Sequence, residues 1–575
     1  MWLALVAVMS VPAGYADDAV CGECHADRAK TYQHVGMARA FYRPRPSNLI
    51  EDFDAPPFFH EKSRQYFEMR RRGAELLFRR WQLTDDGVPV NVYEQVVDWI
   101  LGSGNHARTY LYRTPGGELY QLPVSWYSQT REWRMAPGYD RADHEGVTRR
   151  VRHECMFCHN AYAATPPEPL SYWRSQSFPA NLPEGLGCQR CHGPGAEHAK
   201  TRTRTSIVNP ARLDRQRRND VCYQCHMQPA VSLPGTRRFG RDVYSFRPGQ
   251  LLSDYAAQID IVEHDLPRAT RFEINHHPYR LEQSLCFSES DGRLSCLTCH
   301  DPHRKVAEAD RAAHYRKACM SCHAAPHHVE RDCTSCHMQA RRTQDVVHVV
   351  MTDHLIRRAP GGGELQAKRD ERENAIDGIE ALRGEEPELY RLIPLIRAVP
   401  KVDAVLRLER LLAEAKPPEI EPWLDLAAVQ LRQRRYAQLE QTTRHILEKA
   451  PGQPLALEWL GLARAALTRN AAEAIPYLEA ATRGATPRPE TEFNLGLFLL
   501  QRGRTEEAIA RYKRALAARP NLTAAWIRLG EAQLECGAKD DAMVSFRKAL
   551  AIDPANERAR SAAVSAATDG HPARR

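Results

Sequence analysis

Alternating apolar and polar positions mark one region of the chain as β-rich. Residues 66–83 and 111–127 alternate apolar with polar side chains on either side of glycine-containing turns, which predicts β-hairpins. We therefore expect a β-rich insertion at residues 45–145. Further along, the sequence PGGGE at residues 360–364 is a glycine-rich break, and it predicts a domain boundary near residue 360.

Beyond this break, small and aromatic residues recur at a fixed period. The residues Leu495, Gly496, Ala508, Tyr512, Ala515 and Pro520 return 34 positions later as Leu529, Gly530, Ala542, Phe546, Ala549 and Pro554. This period and pattern are typical of tetratricopeptide repeats, which stack paired helices into an α-solenoid. Weaker copies begin near Trp423 and Leu460. We expect a helical lead-in at 361–418, about four repeats at 419–566 and a disordered tail at 567–575.

The first residues resemble a secretory signal. An apolar run from Trp2 to Val11 is followed by small residues and then by acid, which predicts a signal peptide at residues 1–16 and a periplasmic or extracellular protein. The usual positive charges before the run are missing, so a start upstream of Met1 and retention as an anchor both stay open. No later stretch has the apolar length of a membrane span, so we expect at most peripheral attachment to a membrane complex.

The net charge of the chain does not indicate nucleic-acid binding. Two residue types, however, are unusually frequent in the composition. The formal net charge is +8, but the arginine pairs are scattered along the chain rather than clustered, so nucleic-acid binding is not expected. The chain has 16 cysteines and 24 histidines, and these numbers call for a chemical explanation.

Fourteen of the 16 cysteines fall in seven copies of the motif Cys-x-x-Cys-His. The copies are Cys21-Cys24-His25, Cys155-Cys158-His159, Cys188-Cys191-His192, Cys222-Cys225-His226, Cys296-Cys299-His300, Cys319-Cys322-His323 and Cys333-Cys336-His337. Cys286 and Cys536 remain outside the motifs.

Three kinds of site compete to explain the motif. A disulfide framework suits an exported chain with an even number of cysteines, but it does not need a histidine at a fixed position. Zinc can bind two Cys-x-x-Cys pairs, but it would leave the seven histidines without a role. Covalent attachment of c-type haem uses all three residues.

The spacing of the motif suits haem attachment. On a helical turn the two cysteines share a face, so both sulfurs can reach one porphyrin, while the next residue places its imidazole against the iron as the proximal ligand. The sequence therefore predicts seven covalently attached haem c groups, each containing iron.

Longer segments around the motifs resemble a known family. They are CGECHADRAKTYQHVGMARAF at 21–41, CHGPGAEH at 191–198, CLTCHDPH at 296–303 and CTSCHMQARRTQDVVHVVMTDH at 333–354. From about residue 18 to 358 the chain resembles the multihaem cytochromes of the cytochrome c-552/c-554 type, relatives of the hydroxylamine oxidoreductase-like fold. The resemblance implies a mainly α haem-packed domain at 17–360, with little regular sheet apart from the insertion, and distal histidines from distant parts of the sequence.

The resemblance also suggests distal iron ligands. His198 and His303 match family positions for such ligands, and His348 and His354 lie in the closing segment, with surface or packing roles as the alternatives. The family usually has a histidine where this chain has Met37. The first haem can therefore have Met37 as its distal ligand, or His34, or neither.

The residues themselves add two candidates. His106 lies in a glycine-flanked loop that can approach a flat cofactor, with an ordinary loop histidine as the alternative. His277 is preferred to His276 because the Pro-Tyr-Arg that follows resembles the family pattern.

The function expected from these features is electron transfer. Two strong axial ligands on each iron make an electron carrier, and no motif replaces its histidine with lysine, so the sequence marks no catalytic residue. We expect a heptahaem cytochrome that docks on a redox partner through its repeats. One alternative is an oxidoreductase that acts on a small nitrogen or sulfur compound at a five-coordinate haem. Another is a haem-bearing scaffold or sensor.

Overall fold

The computed structural model describes residues 13–162, 171–230, 233, 235–323, 332–483 and 488–568. Most of the predicted signal peptide at 1–16 and most of the predicted tail at 567–575 lie outside these ranges. Within them, no helix combines the length and the apolar character needed to span a membrane.

Between residues 41 and 151, all of which are described, ten strands form two antiparallel sheets. The strands are β1 (Phe41–Tyr42), β2 (Phe58–His60), β3 (Gln65–Arg72), β4 (Glu75–Leu83), β5 (Pro89–Val96), β6 (Trp99–Leu101), β7 (Ala107–Arg113), β8 (Leu119–Tyr127), β9 (Glu132–Met135) and β10 (Arg149–Val151). One sheet has the order β1-β6-β7-β8-β10, with β9 also paired to β8, and the other has the order β2-β3-β4-β5.

The two hairpins that the alternation predicts are β3–β4 and β7–β8. Gly73 joins β3 to β4 at φ +61°, a conformation that glycine adopts without steric cost. Along β3 the apolar residues Phe67 and Met69 are buried in the core, whereas Glu68 and Arg70, which alternate with them, are only half-buried. Strand alternation therefore gives the insertion one face for a core.

The region that carries the cysteine motifs consists of short helices joined by long irregular segments. These helices are α1 (Asp18–Cys24), α2 (Ala26–Tyr32), α3 (His153–His159), α4 (Gln189–His192), α5 (Ala196–Thr201), α6 (Arg215–His226), α7 (His277–Glu282), α8 (Leu285–Ser288), α9 (Cys296–Cys299), α10 (Arg311–Met320) and α11 (Cys333–His337). Single 3₁₀ turns lie at Pro210–Arg212, Leu252–Asp254, Arg268–Thr270 and Glu308–Asp310.

More sheet is present outside the insertion than the sequence predicts. Strand β11 (Ile259–Glu263) pairs with β14 (Ile376–Ala381), and β12 (Ala340–Arg342) pairs with β13 (Val350–Thr352). Strand β14 lies in the predicted helical lead-in, and β13 lies between His348 and His354. Strands β11 and β14 lie far apart in the sequence, and β12 and β13 are separated by a loop. Local periodicity does not reveal which of these strands pair.

The C-terminal region is an array of antiparallel helices. The lead-in holds α12 (Glu388–Ala398) and α13 (Val402–Ala415), and the predicted repeats correspond to four helix pairs and a final helix. These are α14 (Glu421–Arg432) with α15 (Tyr436–Lys449), α16 (Pro454–Thr468) with α17 (Ile475–Ala481), α18 (Pro489–Gln501) with α19 (Thr505–Ala518), α20 (Thr523–Glu535) with α21 (Lys539–Ile552), and α22 (Glu557–Thr568). A 3₁₀ turn at Ala471–Glu473 precedes α17.

The recurring glycines let paired helices approach closely. A Cβ added to Gly496 would lie 2.6 Å from the ring of Tyr512, and one added to Gly530 would lie 2.6 Å from the ring of Phe546. These glycine–aromatic pairs stand at equivalent places in successive repeats, so the 34-residue period has a packing cause.

A buried ion pair attaches the repeats to the β-rich insertion. Arg519, after α19, donates from Nε to Oε2 of Glu118 at 2.6 Å and from an Nη to Glu490 at 2.8 Å. Arg519 is 2% exposed and Glu118 is 5% exposed. In addition, Ile552 at the end of α21 joins the hydrophobic core of the sheets. The loops between helix pairs therefore form the docking edge of the solenoid.

Removing Arg519 tests this attachment. We expect Arg519→Ala to lower the free energy of unfolding by about 3–5 kcal/mol, because the substitution leaves the buried Glu118 carboxylate without its partner. Urea unfolding of the full chain measures the change. Arg504→Ala, which removes an exposed arginine paired with Glu507, is the matched control and should have no measurable effect. Equal stability of the two variants would contradict the assignment.

Candidate functional site

A shared local geometry places the side chains of each cysteine motif. In α1, Cys21 and Cys24 are one helical turn apart, and His25 ends the helix by donating its backbone N–H to the carbonyl of Cys21 at 2.9 Å. His192 and His300 make the equivalent bond, at 3.1 and 2.9 Å. Each of these turns presents two sulfurs and an imidazole from one short segment.

Four motif histidines each face the ring of a histidine from outside their motif. The ring centroids are 6.4 Å apart for His25 and His198, 5.8 Å for His192 and His303, 6.3 Å for His226 and His277, and 6.2 Å for His300 and His354. The rings are tilted by only 11° to 29° from parallel.

These distances suit a metal ion between the rings. A bond from a transition metal to an imidazole nitrogen is about 2 Å long, so two rings bound on opposite sides of one ion have centroids roughly 6 Å apart. Together with the cysteine pair beside each motif histidine, the residues fit a covalently held haem with two axial imidazoles.

Backbone carbonyls orient several of the rings. The Nδ1 atom of each ring in this set lies within hydrogen-bonding distance of a carbonyl oxygen: His192 with Val208 at 2.8 Å, His198 with Thr203 at 3.0 Å, His337 with Arg357 at 2.6 Å and His354 with Thr352 at 3.1 Å. A proton donated from Nδ1 leaves the lone pair of Nε2 for a metal.

Burial also favours the form of imidazole that binds metal. It lowers the pKa of His159 to about 4 and the pKa of His354 to about 4, since desolvation disfavours the charged ring. The pKa values of His226 and His300 are lowered for the same reason, although both rings keep an exposed surface. Because their pKa values are lowered, the rings are neutral at neutral pH, which is the form that binds metal.

Four of the seven predicted distal residues thus lie opposite a motif histidine, namely His198, His277, His303 and His354. His276, the neighbour that the sequence disfavours, is 2% exposed, and its Nε2 atom lies 3.6 Å from Oε2 of Glu273. The pairs join residues up to 173 positions apart in the sequence, so only the family resemblance could suggest three of them.

The other three predicted distal residues do not face a motif ring. His198, and not Met37, lies opposite His25 of the first motif. His34, the other candidate for that position, is exposed. His348 packs edge-on against Tyr127, with centroids 4.9 Å apart. His106 lies beside β7 in a half-buried loop, and burial lowers its pKa.

Three motif histidines, His159, His323 and His337, have no histidine ring opposite them among the described residues. His327 and His328 belong to residues 324–331, which lie outside the described ranges.

Contacts between cysteines show which motifs are neighbours. Thiols of different motifs are close neighbours in four pairs: Cys21 with Cys188, Cys158 with Cys225, Cys222 with Cys296, and Cys319 with Cys333. These pairs join the first motif to the third, the second to the fourth, the fourth to the fifth and the sixth to the seventh. His303, after the fifth motif, faces His192 of the third and links the groups further.

Some residues that hold the motifs together carry no signal in the sequence. Asp18 accepts hydrogen bonds from the backbone of Cys188 and from Gln189, each at 3.0 Å, and so ties the first motif to the third. Ser177 and Phe178 contact His153 at the start of α3. The indole of Trp173 donates a hydrogen bond to Asp425 of α14 at 2.7 Å. Residues 171–178 therefore join the second motif to the repeats.

Comparison with known proteins supports the C-terminal assignment. Residues 499–567 match the tetratricopeptide repeat family. The C-terminal region is a tetratricopeptide-repeat domain. Similar solved structures include MamA, at 22% identity over 28% of this chain and 94% of that chain with a TM-score of 0.26. Another is a thermophilic tetratricopeptide-repeat protein of Thermus thermophilus, at 24% identity over 31% of this chain and 95% of that chain with a TM-score of 0.27.

A curated multihaem cytochrome resembles part of the chain. The multiheme cytochrome MtrA of Shewanella baltica (strain OS185) is 25% identical over 152 residues, which are 24% of this chain and 43% of that protein. The match thus spans less than half of the relative's length. This weak similarity is to a multihaem cytochrome, and the hydroxylamine oxidoreductase-like type that the sequence suggests stays a prediction.

Substitution of His198 tests the facing pair that contains His25. With haem c attached, we expect His198→Ala to convert one low-spin centre to a high-spin one, because the iron would lose one of two axial imidazoles. Electron paramagnetic resonance of the oxidised protein measures the change. Met37→Leu is the matched control and should leave the spectrum unaltered. The reverse result, a change with Met37→Leu alone, would assign the distal position to Met37.

Proposed function

We propose that this chain is an exported c-type cytochrome with seven haems that relays electrons between closely spaced centres. The observation that carries the proposal is the set of four imidazole pairs at 5.8–6.4 Å, each beside a Cys-x-x-Cys turn. Haem c held in this way supplies reversible one-electron chemistry at iron.

The residues of the chain hold and tune the centres. With haem attached, each cysteine pair would form two thioether bonds and each motif histidine would be the proximal ligand. His198, His277, His303 and His354 would be the distal ligands of the first, fourth, third and fifth centres. His106 and His348 stay candidates for the centres of His159, His323 and His337. A second axial imidazole keeps an iron low-spin and closed to substrate, which favours transfer over catalysis.

Neighbouring motifs support a continuous path. The thiol contacts link the fourth motif to the second and the fifth, and ring contacts link the first and fifth motifs to residues near the third. Short separations between centres favour electron hopping, so an electron that enters at one of the first five motifs would be able to reach the other four within the same chain.

The repeats supply a place for a protein partner. Stacked tetratricopeptide repeats are protein-interaction modules, and their loop edge is fixed on the insertion through Arg519 and Ile552. Residues 171–178 connect that edge with the second motif. A redox protein bound on the remaining repeat surface would therefore have a fixed position relative to the haems.

One observation favours the oxidoreductase as a second candidate. A cavity of about 560 Å³ lies beside the seventh motif and is lined by Ser335, Gln339, Ala340 and residues 363–367. The motif's own His337 has no histidine ring opposite it in the described part of the chain. An accessible iron there would admit a small nitrogen or sulfur compound.

Counting haems tests the main proposal. The purified chain should carry seven haems by pyridine haemochrome assay and intact mass, and Cys319→Ala/Cys322→Ala should carry one fewer because that centre loses its thioether bonds. Cys286→Ala/Cys536→Ala changes the two cysteines outside the motifs and should keep all seven. A mass equal to the bare processed polypeptide would refute the proposal. High-spin signals in the native protein would favour the oxidoreductase.

Cross-linking tests the role of the repeats. In exported fractions of cells that produce the full chain, cross-links to a redox protein should map to residues 419–568, because the repeats offer the docking surface. Mass spectrometry of the linked peptides identifies both sides. Links confined to residues 41–151 would instead assign docking to the β-rich insertion.

A further inference from the structure

Two of the distal histidines contact each other. The ring centroids of His277 and His354 are 4.4 Å apart, with an angle of 35° between the ring planes. This distance is much shorter than the 6.2 and 6.3 Å that separate each of these rings from its motif histidine. The first distance fits direct contact between rings, whereas the others leave room for a metal ion.

The contact completes a row of four imidazoles. Their order is His226, His277, His354 and His300, so the outer rings belong to the fourth and fifth motifs and the inner rings are the corresponding distal residues. The other two facing pairs, His25–His198 and His192–His303, contain no such contact between distal rings in the described part of the chain.

A buried ion pair holds the inner rings in place. Arg280 of α7, three residues after His277, donates from Nε and from an Nη to the two carboxylate oxygens of Asp353 at 2.8 and 2.7 Å. Asp353 directly precedes His354, and the two charged residues are 1% and 4% exposed. The bidentate geometry restricts rotation between α7 and the segment after β13, and so fixes the two rings relative to each other.

We infer that the contact between His277 and His354 couples the fourth and fifth centres into one redox pair. The inference rests on the proposed function. With haem bound at both sites, the contact between His277 and His354 would provide the path for one electron from the reduced to the oxidised centre, with no bond made and no proton moved. Because the two distal rings are in contact, the two centres would be close neighbours, and the charge on one would also alter the potential of the other. Arg280 and Asp353 are positioning residues for this contact.

Substitution of one inner ring provides the test. In the haem-loaded full chain, His277→Met should shift the midpoint potentials of two centres, because thioether ligation raises the potential of the fourth and the loss of the ring contact alters the fifth. His198→Met is the matched control. It makes the same ligand change in a pair without a second distal ring, and should shift one centre only. Potentiometric titration followed by electron paramagnetic resonance measures the shifts.

The outcomes separate the inference from the function it rests on. A shift of a single centre in His277→Met would overturn the coupling while leaving the cytochrome intact. Absence of haem from the native chain would overturn both. If His277→Met fails to load haem, the native protein and the Arg280→Lys variant provide the test. A magnetic interaction between two low-spin centres that is present in the native protein and lost in Arg280→Lys would support the coupling. Seven independent centres in the native protein would refute it.

Discussion

The fold around the cysteine motifs depends on pairs of imidazole rings held opposite each other at a spacing that suits one metal ion. Each pair joins a short helix to a segment far away in the sequence, and these helices have only four to twelve residues. Helices of that length have little stability of their own. The facing pairs, with the haems proposed between them, therefore take the place that a continuous apolar core occupies in most domains of this size.

What the sequence predicts well is local. A helical turn sets the geometry of Cys-x-x-Cys-His, and side-chain alternation places the β3–β4 and β7–β8 hairpins, so neither feature needs knowledge of distant residues. The period of the repeats is equally local, because Gly496 and Gly530 meet the aromatic residues of their own repeats.

What the sequence predicts poorly depends on pairing between distant segments. Nothing near His25 shows that His198 faces it, and Met37 is the natural candidate because it stands where the family has histidine. The strand β14 escapes prediction for a similar reason, since its partner β11 lies more than a hundred residues earlier. Asp18 and Arg280 act through partners that no motif marks, and their roles emerge only when the chain is folded.

The link between Glu118 and Arg519 spans 401 positions, and Ile552 fills part of the core beneath the N-terminal sheets. In the export that we propose, the N-terminal segments emerge first. The hydrophobic core of the insertion would therefore stay incomplete until nearly the whole polypeptide has crossed the membrane. That delay would keep the cysteines of all seven motifs accessible during the haem attachment that we propose. Closure of the last repeat onto the sheets would then be the final step of maturation.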